Sequence, residues 1–273
     1  MNLNLSNKTF IISGSGKGLG LEMAKVLLEE GANVVMVGRD EEKLNTLHNS
    51  FKDQSKLSTY VADSNDEDAI KDCITFAKDK YGSIDVVFAN AGTEGEVKPL
   101  TEYTKDEFNN VISVNVIGVW LYMKHVLPIM QNQKNGSFIA VASAAGVGGF
   151  NGTCPYVASK HAVCGMIKTA CIENGPFNVR VNALAPGPVD NRMMRSLEEQ
   201  LNPDDPDSVR EMIMQQLPLQ KYATNEDIIR NARLFKGMTI KGPEIQEAIK
   251  LCAIGCRPVL MIGLGIVAIV INK

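Results

Sequence analysis

The chain has 273 residues, with 28 Lys and Arg against 31 Asp and Glu, and a formal net charge of -3 with its three His neutral. Its 45 % hydrophobic and 22 % charged residues are ordinary globular usage, which excludes a disordered chain. The mild acidity argues against bulk nucleic-acid binding, which rests on excess Lys and Arg. The length suffices to bury a core without a disulfide or a metal. The six Cys form no CxxC pair, and His48, His125 and His161 share no ligand spacing. Reduced thiols, a cytoplasmic setting and no metal site are therefore expected. The N-terminal MNLNLSNKTF lacks the basic-then-apolar order of a secretory signal.

Along the chain, short apolar runs alternate with amphipathic stretches. Residues 9–13, 33–37, 57–61, 84–89, 137–142 and 179–185 are rich in β-branched residues and mostly do not alternate, which predicts strands covered on both faces. Helical patterns lie between them. Residues 19–30 predict a helix stopped by Gly31. Ile70, Cys73, Ile74 and Ala77 recur at i, i+3, i+4, i+7, one helical face. Residues 108–130 predict a longer helix interrupted near Pro128, and residues 156–174 one closed by a left-handed Gly175. This alternation predicts an α/β fold, a doubly wound parallel sheet in one domain, with ligands at the carboxyl ends of the strands. The NPDDPD stretch at 202–207 reads as a loop in a flap over the site rather than a domain boundary.

Between the first strand and first helix stands SGSGKGLG, residues 13–20. It fits neither GxGxxG nor GxxxxGK[ST], but it matches GxxxGxG on Gly14, Gly18 and Gly20. Such a loop turns tightly, lets backbone approach a pyrophosphate, and aims a helix N-terminus at it. A purely structural glycine turn is the other reading. The second strand ends Val37-Gly38-Arg39-Asp40. An acid at its tip would bind the ribose 2′-hydroxyl of NAD(H). Arg39 instead suits a 2′-phosphate, with Lys17 adding charge, which favours NADP(H) over NAD(H). The alternative is that Arg39 is a solvated charge and Asp40 a helix cap, which would leave Asp40 to serve NAD(H).

Tyr156 and Lys160 stand at i, i+4 in YVASK and share a helical face. Ser143 ends the strand SFIAVAS, and Asn115 lies in SVNVIG. With Asp63 after the third strand, ANAG at 89–92 and RVNALAPG at 180–187, these motifs closely resemble the short-chain dehydrogenase/reductase family from about Lys8 to Phe235. The similarity is to members of the 3-oxoacyl-reductase kind, although Ser13 stands where the family usually has Thr.

The resemblance implies a nicotinamide-dependent enzyme interconverting carbonyls and alcohols. Tyr156 would be general acid in reduction and base in oxidation, with Lys160 and the nicotinamide charge lowering its pKa. Ser143 would donate to the substrate oxygen, and Asn115 would hold a water leading from Lys160 to solvent. The cofactor would meet Gly14, Ser15, Lys17, Gly18, Leu19 and Gly20 in the loop, Arg39 at the second strand and Asp63 at the adenine. Asn90, Ala91 and Gly92 would line the adenosine side, Tyr156 and Lys160 the ribose, and Pro186, Gly187 and Val189 the nicotinamide. Asn191 replaces the usual Thr and could bond the carboxamide or a phosphate.

Substrate selection would fall to residues 144–155 and 190–217. Their Val147, Phe150, Cys154, Met193, Met194, Leu197, Met212, Ile213 and Met214 suggest a small-molecule apolar ketone or 3-oxoacyl group meeting Ser143, Cys154 and Tyr156. A homodimer or homotetramer is implied. A dinucleotide-binding scaffold without turnover is the rival.

The family pattern stops near residue 235. Residues 1–235 read as the Rossmann domain, and 236–273 as an atypical tail in place of the usual last strand. Its apolar run at 259–271 is shorter than a bilayer span. A substitute strand, a membrane-touching tail and a shifted reading frame stay open.

Overall fold

The computed structural model describes residues 5–232 and 266–269. Strands β1 (Thr9–Ser13), β2 (Asn33–Gly38), β3 (Leu57–Val61), β4 (Val86–Ala89), β5 (Gly136–Val141) and β6 (Val179–Pro186) form a parallel sheet. A seventh, β7 (Ile266–Ile269), pairs antiparallel with β6, Ile266 opposite Pro186 and Ile269 opposite Ala183. The order is β3-β2-β1-β4-β5-β6-β7, so the winding reverses between β1 and β4. That reversal opens the crevice where such sheets take their ligands. β7 falls inside the apolar run expected as a possible substitute strand; the rest of the tail lies outside the described residues.

The helices are α1 (Gly18–Glu29), α2 (Glu41–Ser50), α3 (Glu67–Tyr81), α4 (Lys105–Ile112), α5 (Gly118–Gln133), α6 (Cys154–Asn174), α7 (Arg192–Leu201), α8 (Pro206–Gln216) and α9 (Asn225–Ala232). They cover both faces of the sheet. On one, Ile70 and Ile74 of α3, Tyr122 and Val126 of α5 and Val163 and Ile167 of α6 pack with Ile11, Val35 and Val87. On the other, Met23 and Leu27 of α1, Leu44 of α2 and Ile228 and Ile229 of α9 pack with Ile12, Val34 and Met36. Neighbouring residues of one strand thus feed opposite cores, which is why these strands read as unbroken apolar runs.

Two expected helix features are corrected. Pro128 does not interrupt its helix but lies inside α5. The interruption is a π turn, Ser113–Ile117, between α4 and α5. Gly175 is right-handed at φ -52, and the chain continues as a short 3-10 turn before Asn178 takes the left-handed position at φ 60. The α4–α5 stretch Lys105–Gln133 is long and apolar enough to cross a membrane by composition, yet 44 % of its most apolar window is buried in the fold, as befits a core helix.

Candidate active site

The loop after β1 has the shape its glycines predict. Gly14 and Gly18 take φ +63 and +55, which L side chains rarely adopt. A Cβ on Gly20 would sit 2.5 Å from the Gly14 carbonyl oxygen, so only glycine lets α1 begin this close to the loop. Lys17 precedes α1 without a side-chain cap, and no acid stands in the first turn, Leu19 included. By contrast α2, α3, α7 and α8 are each capped by an Asp or Asn side chain. The first N–H groups of α1 are thereby left to an outside anion, and the residues fit a dinucleotide pyrophosphate. The Ser15 hydroxyl is buried and donates to the Val37 carbonyl at 3.1 Å.

Asp40 caps α2, accepting from the Lys43 N–H at 2.9 Å. Arg39 stands exposed at the tip of β2, 3.5 Å from Asp63. Lys43 was not anticipated: its side chain runs beside Gly16, with Cδ and Cε 3.7 Å from where a Cβ would be. Burial first, then the charges of Arg192, Lys43 and Arg39, pull Lys17 below the ordinary lysine value, against an upward push from Glu94. Three cations therefore gather around the tip of β2. No sequence motif marks Lys43, because its proximity to Gly16 comes from how α2 crosses the loop.

Ser13 joins the β1 and β4 ends. Its hydroxyl accepts from the N–H groups of Asn90 and Ala91, both at 3.0 Å, while the Asn90 amide donates to the carbonyls of Ser13 and Gly14 at 3.2 and 3.1 Å. The π turn then explains Asn115. Fully buried, it accepts from the Thr93 N–H at 2.8 Å and donates to the Thr93 carbonyl at 2.9 Å and the Ser159 hydroxyl at 3.0 Å. A π turn commonly marks a functional position. Here it turns one amide to grip the β4 loop beside Gly92 and, through Ser159, helix α6.

Ser143, Tyr156 and Lys160 come together at the end of β5. Ser143 follows the strand, close enough to Tyr156 to act on its phenol; its oxygen accepts from the Ala145 N–H at 3.1 Å. Lys160 is buried, donates to the Val141 carbonyl at 2.8 Å and lies 5.5 Å from the Tyr156 ring centre. A Cβ on Gly92 would be 3.7 Å from its ammonium and 3.2 Å from the Asn115 carbonyl oxygen, so four elements converge here. Burial pushes the Tyr156 phenol up, Ser143 pulls it down and Glu94 adds to the rise. The expected lowering by Lys160 is thus not found in the chain alone: burial pulls Lys160 itself down to about 8.

That shift carries a sign. Lys160 stays charged to a higher pH unfolded, with an ordinary value of about 10.4, than folded. The unfolded chain binds more protons in between, and stability rises with pH. Tyr156, raised when folded, acts in the opposite direction only from about pH 10 upward. Buried Cys73, pushed up to about 12, and Cys164, also raised, oppose this from about pH 9, so urea unfolding of the cofactor-free protein should show stability rising from pH 8 to 9, and Lys160→Met should remove that rise.

On the far wall, Pro186 ends β6 and Gly187 and Val189 follow it, with Val189 bridged to Ala223. Asn191 caps α7, its carbonyl accepting from Met193 and Met194 at 2.9 and 3.3 Å. Arg192 then makes a bidentate pair with buried Glu94, at 2.8 and 3.0 Å. Neither was anticipated, since a charge in a loop signals solvent until the fold supplies its partner. Around the cleft Val147, Phe150 and Met212 are exposed. Cys154 opens α6 as a free thiol. Among the described residues no group of three His, Cys, Asp or Glu could hold a metal ion.

The profile of the short chain dehydrogenase family matches residues 8–202. Levodione reductase of Leifsonia aquatica is 33 % identical over 226 residues, covering 82 % of this chain and 85 % of that protein. The 3-oxoacyl-(acyl-carrier-protein) reductase of Thermotoga maritima is 33 % identical over 227 residues, covering 83 % and 89 %. In three dimensions the crystal structure of levodione reductase superposes with a TM-score of 0.82 at 31 % identity, over 86 % of this chain and 92 % of that one. NAD+-bound xylitol dehydrogenase gives 0.82 at 28 % identity, over 86 % and 94 %. The chain belongs to the short-chain dehydrogenase/reductase family, oxidoreductases of carbonyl and alcohol groups that bind a nicotinamide dinucleotide.

Proposed function

We propose that the chain is an NADP(H)-dependent carbonyl reductase, reversible as a secondary-alcohol dehydrogenase, acting on an apolar ketone or 3-oxoacyl group. The observation that carries this reading is the Ser143–Tyr156 pair beside buried Lys160, facing the same crevice as the uncapped α1 terminus. When bound, the nicotinamide supplies or takes up the hydride. Ser143 donates a hydrogen bond to the carbonyl oxygen, where negative charge grows. Tyr156 delivers the proton to that oxygen in reduction and removes it in oxidation. Lys160 steadies the phenolate left behind, and Asn115 fixes the β4 loop beside it. Exposed Val147, Phe150 and Met212 give the substrate an apolar rim.

The choice of NADP(H) rests on Lys17, Arg39 and Lys43 around the β2 tip. The opposing observation is Asp63, close enough to Arg39 to share its charge. Fluorescence titration decides between them. NADPH should bind at least about tenfold more tightly than NADH, a preference of roughly 1.4 kcal/mol. Arg39→Ala and Lys43→Ala should each erode that preference several-fold while leaving NADH affinity unchanged. Tighter binding of NADH by the parent overturns the assignment in favour of an NAD(H) enzyme.

The reading places one Rossmann domain at 1–235 with 236–273 as a tail. A cytoplasmic setting suits the free thiols of Cys73, Cys154 and Cys164. The exposed Ile117 and Trp120 of the π turn and α5, and Ile172 of α6, offer apolar surface for a homodimer or homotetramer.

A further inference from the structure

Three Asn-Gly pairs occur in the chain, at 135–136, 151–152 and 174–175. In such a pair the glycine nitrogen can attack the asparagine side-chain carbonyl, because no Cβ shields that nitrogen and the backbone bends freely. The fold treats the three differently. Asn174 is buried, and its amide donates to the Ala170 carbonyl and accepts from Gln131, both at 2.7 Å. The Gly175 N–H donates to the Cys171 carbonyl. Gly136 opens β5, buried and in register with Val179 of β6, and a Cβ there would lie 2.5 Å from Met130. Neither of these pairs can fold back on itself without opening the structure.

Asn151 and Gly152 are not held in this way. They form the centre of the turn from Phe150 to Thr153, where the Thr153 hydroxyl donates to the Phe150 carbonyl at 3.1 Å. Asn151 is exposed, and among the described residues no hydrogen bond engages its amide or the Gly152 N–H. The turn also leads directly into α6, whose N-cap Thr153 makes no side-chain cap and whose first turn carries no acid. The positive end of that helix favours negative charge forming on the Gly152 nitrogen and on the attacked oxygen.

We propose that Asn151 is a covalent modification site, losing its amide by cyclising onto Gly152. The Gly152 nitrogen gives up its proton and bonds to the Asn151 side-chain carbonyl carbon. The bond from that carbon to the amide nitrogen breaks, and ammonia leaves with the proton. Water then opens the cyclic imide at either carbonyl, giving aspartate or isoaspartate. The net reaction takes up one water, releases one ammonia and changes no oxidation state.

The consequence follows from what Gly152 holds. Its carbonyl accepts from the Lys98 N–H at 3.0 Å and the Tyr103 hydroxyl at 2.7 Å, tying the turn to the segment after β4. Isoaspartate adds one carbon to the main chain before Gly152 and breaks that register. Either product sets a carboxylate beside exposed Phe150 on the apolar rim, in the loop that leads to Tyr156. Turnover of an apolar ketone should therefore fall. This effect rests on the function proposed above; the modification does not.

The test incubates the full chain at physiological temperature and mildly alkaline pH. Samples taken over days are read by peptide mass mapping and by reduction of the fastest ketone in an apolar panel. In the folded chain Asn151 should convert at least about tenfold faster than Asn135 and Asn174, which must first open locally. In urea the three rates should draw within a few-fold of one another. Turnover should decline in step with conversion at Asn151, mainly as a rise in KM. Asn151→Gln keeps an amide but offers only a larger, slower ring. Referred to its own starting activity, it should hold while the parent declines. Conversion at Asn151 no faster than at the other two in the folded chain overturns the modification site. A decline in Asn151→Gln as fast as in the parent overturns the effect on turnover. A parent that converts at Asn151 yet reduces no ketone supports the modification site and overturns the proposed function instead.

Discussion

Replacing Tyr156 by Phe should lower carbonyl turnover by about 10²- to 10⁴-fold, the range a positioned general acid contributes. The ring keeps its place on α6, so the melting temperature and the NADPH dissociation constant stay near those of the parent. Initial rates and a binding titration on one preparation check both halves. The pH behaviour follows from the same hydroxyl. Reduction needs the neutral phenol, which burial favours. Its rate should stay level through neutral pH and fall only under alkaline conditions. Oxidation needs the phenolate and should rise over the same range. A Phe variant as fast as the parent would remove the assignment of Tyr156. A parent that binds cofactor yet turns over no carbonyl or alcohol in a broad panel would favour the rival reading, a dinucleotide-binding scaffold.

Replacing Asn115 by Ala should be the costliest change to stability. Its amide satisfies both the N–H and the carbonyl of Thr93, and among the described residues no other hydrogen bond to either group is found. These groups are part-buried, so each left without a partner costs toward the lower end of about 1–3 kcal/mol. A total near 3 kcal/mol corresponds to a fall of roughly 6–12 °C in melting temperature for a chain of this size. The loop that Asn115 releases carries Gly92, beside the Lys160 ammonium. Turnover should therefore fall even where the variant is folded. Thermal melts and assays at low temperature separate the two losses; a shift within one degree would show that Thr93 finds other partners.

The sheet was legible because strands buried on both faces leave short β-branched runs, and all six parallel strands appear within two residues of where those runs lie. The Ser143, Tyr156 and Lys160 cluster was legible because its spacing survives as motif. Glu94, Arg192 and Lys43 were not, because each acquires its neighbour from a distant segment. Proline and glycine misled in a consistent way. Pro128 removes one helical hydrogen bond, which α5 tolerates. Gly175 permits a left-handed turn without requiring one, and the chain spends that conformation on Asn178. The real break at Ser113–Ile117 is spelled in ordinary helix residues, because its cause is the grip of Asn115 on Thr93.

That π turn also sets a phase. An α-helix advances about 100° per residue. A π turn takes up one extra residue, so α4 and α5 are out of step by that angle. Any apolar stripe traced continuously across the two helices points away from the core on one side of the turn. Shortening the turn by a single residue would restore an unbroken ladder of hydrogen bonds and a smoother helix. It would also rotate the Asn115 amide away from Thr93. The most regular version of this helix and the version that holds the β4 loop are different sequences, and this chain carries the second.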